Sequence, residues 1–255
     1  MSIVLSKDLL QVLFPEAAHS AADANEVEDI LRAYYEQGPI SVSVEPNPAE
    51  VRIEITQTAQ RLSGSQLREA SEAGEAGDFR KAERLLQPIQ EQYPWESDVH
   101  RMYAQSLLEQ GRPEDALEPA LDAIRWDPEN VYALLLAGNI YVRGANDTTT
   151  AKKLYDHAAA LAPDDHIVLN NIGGTLLKEG RLEQGKRYLE MAVEANPDYP
   201  RTHYGLALAE QEGGDPGAAF PHIVRAFRAD ARVNSASHYS RPLGVLWQTT
   251  AVRSN

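Results

Sequence analysis

The stretch VYALLLAGNIYVRGANDTTTAKKLYDHAAALAPDD, residues 131–165, decides the fold. It reads as an apolar helix, a polar break from Arg143 to Thr150, and an alanine-rich second helix stopped by Pro163. Working outward, its landmarks return at a nearly constant interval. Pro94, Pro128, Pro163 and Pro197 are separated by 34, 35 and 34 residues. Small residues keep the same step in three columns: Ala70, Ala104, Gly138, Gly173 and Ala207; Ala82, Ala116, Ala151, Gly185 and Ala219; and Ile89, Ala123, Ala158, Ala192 and Ala226. The one extra residue falls between Gly138 and Ala151, and the polar stretch Arg143–Thr150 is where a loop insertion is expected. A fixed period of this length means stacked copies of one small unit.

Each copy is expected to be helix–turn–helix. In the second, Ser97 to Glu109 favours a helix, Gly111-Arg-Pro113 breaks it, Glu114 to Trp126 resumes, and Asp127-Pro128 stops it. Gly77, Gly111, Gly180 and Gly213-Gly214 fall at matching places, since glycine accepts the left-handed conformation that ends a helix. The small columns have a packing reason: where helices cross closely, a larger side chain would cost about 1–3 kcal/mol of overpacking.

This pattern resembles the tetratricopeptide repeat family, whose period is 34 residues. Leu134, Ala137-Gly138, Tyr141, Ala151, Tyr155, Ala158 and Pro163 stand where the family favours Trp, Leu-Gly, Tyr, Ala, an aromatic, Ala and Pro. Five units are expected, at about 63–96, 97–130, 131–165, 166–199 and 200–231. The first departs from the pattern, with Gln66, Glu69 and Ala73 where large apolar residues are usual; this fits an atypical cap. The fourth has Gly185 in place of the usual Ala. The implied fold is all-α, an α-solenoid of about five such repeats over 63–231, with a small N-terminal extension over 1–62 and a C-terminal tail over 232–255.

The extension reads as a short helix over 7–14 capped by Ser6, a helix over 24–37, and a hairpin of the alternating segments Ile40–Glu45 and Val51–Ile55. A lone hairpin is marginal in water and needs a third strand or a packed helix. The tail, where Val245, Trp247 and Thr249 alternate with their neighbours, is one source of that strand. Its other readings are a partner-binding anchor at Trp247, disorder, or packing on a helix. An edge strand left open would invite β-augmentation by a partner.

Net charge is −14, split as −6, −11 and +3 over the three segments. An acidic body argues against nucleic acid or an anionic membrane as partner. There is no cysteine, so disulfides, thiolate nucleophiles and cysteine metal sites are excluded. No run of 18 apolar residues suggests a membrane span, and the first eight residues lack a secretory signal's basic start; the expected location is cytoplasmic.

The resemblance implies that the first helix of each unit lines a concave groove. The inward positions are Arg101 and Gln105; Tyr132, Leu135 and Asn139; Asn170, Asn171 and Gly174; and Arg201, Tyr204 and Leu208. Asparagine amides pair with a peptide backbone whatever its sequence, and arginine grips carboxylates bidentately. Some family members clamp a partner's C-terminal carboxylate with Lys, Asn, Asn, Lys and Arg. Here Asn139 and Asn171 match, Arg201 stands in for one Lys, and Leu135 and Gly205 occupy the other two places. A carboxylate clamp, a general peptide groove and a purely structural role for the asparagines all remain open.

No metalloprotease, nucleophile-elbow or phosphate-loop motif occurs. His100 and His203, at equivalent places, read as core-edge residues, and Asp164-Asp165-His166 as a helix cap. Gly173-Gly174 reads as a site of close helix packing. The expectation is a protein that is not an enzyme and needs no cofactor or metal: an adaptor or chaperone holding a segment of another protein. The alternatives are a self-assembling scaffold, or a regulatory or recruiting subunit of an enzyme complex.

Overall fold

The computed structural model describes residues 2–19, 24–36, 40–46, 50–57, 62 and 64–233. These fall into two compact units divided in sequence between Ile140 and Tyr141. The expected tail beyond Val233, with the strand reading of Val245, Trp247 and Thr249, lies outside the described residues.

The first unit begins with strand β1 (Ser2–Ser6), short helices α1 (Lys7–Leu13) and α2 (Pro15–His19), and α3 (Ala24–Tyr35). Strands β2 (Ile40–Pro46) and β3 (Glu50–Gln57) follow. The expected hairpin is present, and its third strand comes from the opposite end of the chain to the one considered. β1 pairs antiparallel with β3, giving the order β1-β3-β2. Ile3 and Leu5 point inward with Val51, Ile53 and Ile55, while Val4 faces out. Ser6 accepts a hydrogen bond from Leu9 N (3.3 Å), so one residue ends β1 and caps α1. Pro15 opens α2, a helix missed in the sequence, where proline's fixed φ and absent N–H cost nothing.

Four repeat helices and the first helix of the third repeat complete this unit: α4 (Gly64–Glu75), α5 (Phe79–Gln92), α6 (Ser97–Glu109), α7 (Pro113–Trp126) and α8 (Val131–Ile140). The small columns do what the spacing implied. Ala70, Ala82, Ala104, Ala116 and Ala123 are fully buried, and Leu86, Val99 and Met102 fill the space between them.

The second unit holds a π-helical turn (Tyr141–Ala145), then α9 (Thr148–Leu161), α10 (His166–Lys178), α11 (Leu182–Ala195), α12 (Pro200–Glu212) and α13 (Pro216–Val233). The π turn corrects the reading of the extra residue as a loop insertion. A π turn holds one residue more than an α turn, so the 35-residue spacing is absorbed as helix. The backbone bond from Asp147 N to Tyr141 O, 3.0 Å, closes the segment.

Helix boundaries follow local chemistry. Asp78, Asp147 and Asp165 cap α5, α9 and α10 with their carboxylates, the last accepting from Ile167 N and Val168 N as the cap reading required. Gly77, Gly111, Gly180 and Gly214 turn the chain with φ between +72° and +88°, and Asn146 with φ +51° lies in the third repeat's break. His100 and His203 are buried, and each donates Nε2–H to a proline carbonyl, Pro94 O at 2.6 Å and Pro197 O at 2.8 Å. The same contact recurs in two repeats, consistent with core-edge roles. Burial lowers the His100 pKa below its ordinary value, against the opposing effects of that carbonyl and of Asp122.

Candidate functional site

The inner-row residues stand on the first helices of the repeats, and helical spacing decides which share a face. In the first unit Arg101 and Gln105 are four apart on α6, and Tyr132, Leu135 and Asn139 are three and four apart on α8, which packs against α6. Arg101 is buried, its Nε donating to Asp98 Oδ1 at 3.0 Å. Gln105 is also buried; its Nε2 donates to Glu109 at 2.6 Å, and its Oε1 accepts no hydrogen bond. Leu135 lies in the core, whereas Tyr132 and Asn139 are half-buried.

In the second unit Asn170, Asn171 and Gly174 lie on α10, and Arg201, Tyr204 and Leu208 on the α12 helix packed against it. Asn170 is buried and its Oδ1 accepts from Thr202 Oγ1 at 3.3 Å, joining the two helices. Asn171, Arg201 and Tyr204 are half-exposed, and Leu208 is 46% exposed. The glycine pair divides its work, which corrects its reading as a single packing device. A Cβ on Gly173 would come within 2.6 Å of Leu189 Cγ and 2.8 Å of the Gly185 carbonyl, while one on Gly174 would meet nothing within 4 Å. Gly173 and Gly185 therefore let α10 and α11 touch backbone to backbone, and Gly174 leaves the inner row open. Of the two places that depart from a carboxylate clamp, Leu135 is buried and Gly205 lies against Leu189, where a Cβ would sit 2.9 Å from Cδ1.

A shallow cleft of the second unit is lined by Lys152, Tyr155, Leu176, Gln184, Arg187 and Tyr188. Two of its polar groups meet Asp156, which takes the Tyr188 hydroxyl at 2.6 Å and the Lys152 ammonium. Among the described residues no group of three or more His, Asp or Glu side chains is placed to hold a metal ion, and no helix is long and apolar enough to cross a membrane.

Two features escaped the sequence reading. The first is the junction between the N-terminal extension and α7. Phe14, Tyr34, Tyr35 and Trp126 form an aromatic cluster with ring centroids 4.9–5.9 Å apart. The Arg125 guanidinium lies 5.2 Å from the Phe14 and Tyr34 ring centres. It donates from Nε (3.0 Å) and from a terminal nitrogen (2.8 Å) to Leu13 O, and its other terminal nitrogen binds Asp122 and Glu118. Tyr34 donates to Asp122 and Tyr35 to Arg125 O, each at 2.7 Å. Burial opposes the Arg125 charge, but the carboxylates outweigh it and raise its pKa; burial also raises the pKa of both tyrosines. The signal in the sequence was the Tyr34-Tyr35 pair, which a one-sided helix would not need.

The second is α13, whose Phe220 and Phe227 are 66% and 64% exposed. Their seven-residue spacing, with Ile223 between, is legible in the sequence, and Phe227 stands edge-on to Tyr204 of α12 with ring centroids 6.4 Å apart.

Tetratricopeptide repeat models match residues 67–131, 104–166 and 142–209. A TPR repeat-containing protein of Pseudomonas aeruginosa is 28% identical over 197 residues, which is 69% of this chain and 33% of that protein. A TPR repeat-containing thioredoxin of Arabidopsis thaliana is 33% identical over 87 residues, 34% of this chain and 13% of its own length. The chain thus spans a third or less of these curated relatives. Among solved structures, MamA matches with a TM-score of 0.54 at 16% identity, covering 69% of this chain and 99% of that one. MamA from Desulfovibrio magneticus, residue 41 to the end, matches with a TM-score of 0.55 at 16% identity, covering 67% and 96%. At these identities the likeness is one of fold.

Proposed function

This chain belongs to the tetratricopeptide repeat family, and we propose that it is a non-catalytic adaptor or chaperone that holds a peptide segment of another protein against the first helices of its repeats. The family supports a protein–protein interaction module. The observation that carries the finer reading is the inner row of α10 and α12: Asn171, Arg201, Tyr204 and Leu208 present amide, guanidinium, phenol and aliphatic groups beside the open space over Gly174. An amide offers a donor and an acceptor to any peptide backbone, and a guanidinium favours carboxylate. On α8, Tyr132 and Asn139 offer the same chemistry. Arg101, Gln105 and Leu135 of the first unit and Asn170 of the second are buried. A rigid, preformed row lowers the ordering cost of the bound segment. The expected setting is the cytoplasm.

The test is affinity capture from native lysate with wild type and with Asn139→Ala/Asn171→Ala, followed by calorimetry on the captured protein. A dominant partner lost with the variant, at unchanged helical melt, supports the reading. A partner bound equally by both proteins removes the row from recognition, and recovery of the chain alone points to a self-assembling scaffold.

A further inference from the structure

Helix α13 packs on α12 through a thin row. Ala219, His222, Ala226 and Ala229 recur at i, i+3, i+7 and i+10; the three alanines are buried and His222 is half-buried. The apolar cluster of Leu177, Leu189, Leu206 and Ala209 joins α10, α11 and α12. Alanine buries little apolar area, so a polar contact in the α13 row weighs more than it would among leucines.

That contact is a pair of histidines. His203 of α12 is fully buried, its ring centre stands 5.6 Å from that of His222, and the two Nδ1 atoms are 3.3 Å apart. The Nε2–H of His203 is committed to Pro197 O at 2.8 Å. A neutral imidazole has one N–H, so Nδ1 of His203 carries a lone pair and Nδ1–H of His222 donates to it. The contact has room for one proton. A proton arriving at Nε2 of His222 leaves it intact. A second, on Nδ1 of His203, sets two N–H groups and two like charges against each other.

The second repeat gives the equivalent histidine a different partner. His100 also donates Nε2–H to a proline carbonyl, and its Nδ1 lies 2.8 Å from Gln90 Nε2. An amide donates from nitrogen or, turned over, accepts at oxygen, so it can follow a change in the ring's proton; a protonated imidazole cannot. The charged groups around His222 are Lys186 of α11, Glu210 of α12 and Arg225 of α13, and Glu210 is paired with Lys186 at 2.5 Å. Burial, His203 and Arg225 lower the His222 pKa against the opposing Glu210. With the docked value lowered, the contribution is present above the free value of about 6.5 and is lost as pH falls.

We propose that the His203–His222 pair is an acid-operated catch: it holds α13 on α12 at neutral pH and lets go in acid, where the released helix takes up a second proton that the docked pair cannot accommodate. Release bares the alanine row and draws Phe227 away from the edge of Tyr204, 6.4 Å from it in the docked form. The device lies in α12 and α13 and does not depend on peptide binding along the inner row.

The test follows backbone hydrogen exchange of the full chain by mass spectrometry at pH 7 and pH 5, corrected for the intrinsic effect of pH on exchange. Opening of α13 is expected to increase at least about tenfold between the two, as one proton excluded from the docked form requires, while α10 and α11 keep their protection. His222→Gln should dock as the wild type does at pH 7 and lose most of that increase. Nitrogen NMR of the wild-type rings gives a second reading: at pH 7 the proton is expected on Nε2 of His203 and on Nδ1 of His222. An α13 that opens no more at pH 5, an increase unchanged in His222→Gln, or one shared equally by α10 and α11 overturns the proposal. So does the Nε2–H tautomer at both histidines. If His222→Gln loosens α13 already at pH 7, the tautomers decide.

Discussion

Helices α7 and α13 are both second helices of their repeats, and they treat aromatic surface in opposite ways. Trp126 on α7 is 2% exposed, roofed by Phe14, Tyr34 and Tyr35 of the extension, and Arg125 beside it is held by Leu13 O and two carboxylates. Phe220 and Phe227 on α13 stand two-thirds exposed. The first face puts its apolar area into the fold; on the second, Phe227 touches only the edge of Tyr204 and Phe220 stays largely in solvent. The same division appears at single residues on α10, where Gly173 is closed against α11 and Gly174 faces open space. An aromatic stripe therefore has no fixed meaning in a repeat protein, and what covers it decides between stability and recognition.

Substitutions can break that comparison from its closed side. Arg125→Ala should cost the most, about 3–5 kcal/mol, because it leaves a buried carbonyl at Leu13 and the Asp122 carboxylate without their cation. Urea unfolding monitored by circular dichroism measures it, and a loss under about 1 kcal/mol would show that the extension rests only lightly on α7. Next in size is Gly173→Ala, expected to cost about 1–3 kcal/mol because Leu189 and the Gly185 carbonyl cannot both retreat. Its neighbour sharpens the contrast: Gly174→Ala should be neutral or stabilise by up to about 1 kcal/mol, since alanine favours helix and nothing blocks its Cβ. Equal effects at both positions would erase the distinction between them.

Much of the repeat region was legible in the sequence because period, breaks and small columns are local or strictly repeated signals. The turns at Gly77, Gly111, Gly180 and Gly214 and the cap at Asp165 required no knowledge of distant contacts. β1 was not legible: five residues, Ser2–Ser6, carry too little alternation to announce a strand, and their partner lies some fifty residues away. The extension's docking on α7 was hidden for the same reason, since Tyr35 and Arg125 are 90 residues apart. The π turn was hidden because a one-residue insertion does not reveal whether loop or helix absorbs it. For the inner row, spacing named the faces, but it could not tell Asn171, half-exposed, from Asn170, which is buried against Thr202.

Acidification gives a smaller effect. His100 is closed in and its pKa is lowered by burial, and His222 is lowered by partial burial and by neighbouring His203, 3.3 Å away. A depressed folded-state pKa means that the unfolded chain takes up protons first. The stability each contributes is present above the unfolded value near 6.5 and is lost as pH falls through the folded one. Urea midpoints should decline from pH 7 to pH 5, and His100→Gln should flatten that decline more than His222→Gln. The reverse order would place the better-closed histidine near α13.

The smallest effect belongs to the open face, and it tests the account most directly. The measurement is the urea unfolding free energy of Phe220→Ser against wild type. A bare face predicts a change within about 0.5 kcal/mol, as for ordinary surface substitutions. A loss above about 2 kcal/mol would contradict it, showing that the aromatic stripe of α13 is covered by the protein's own fold, as α7 is.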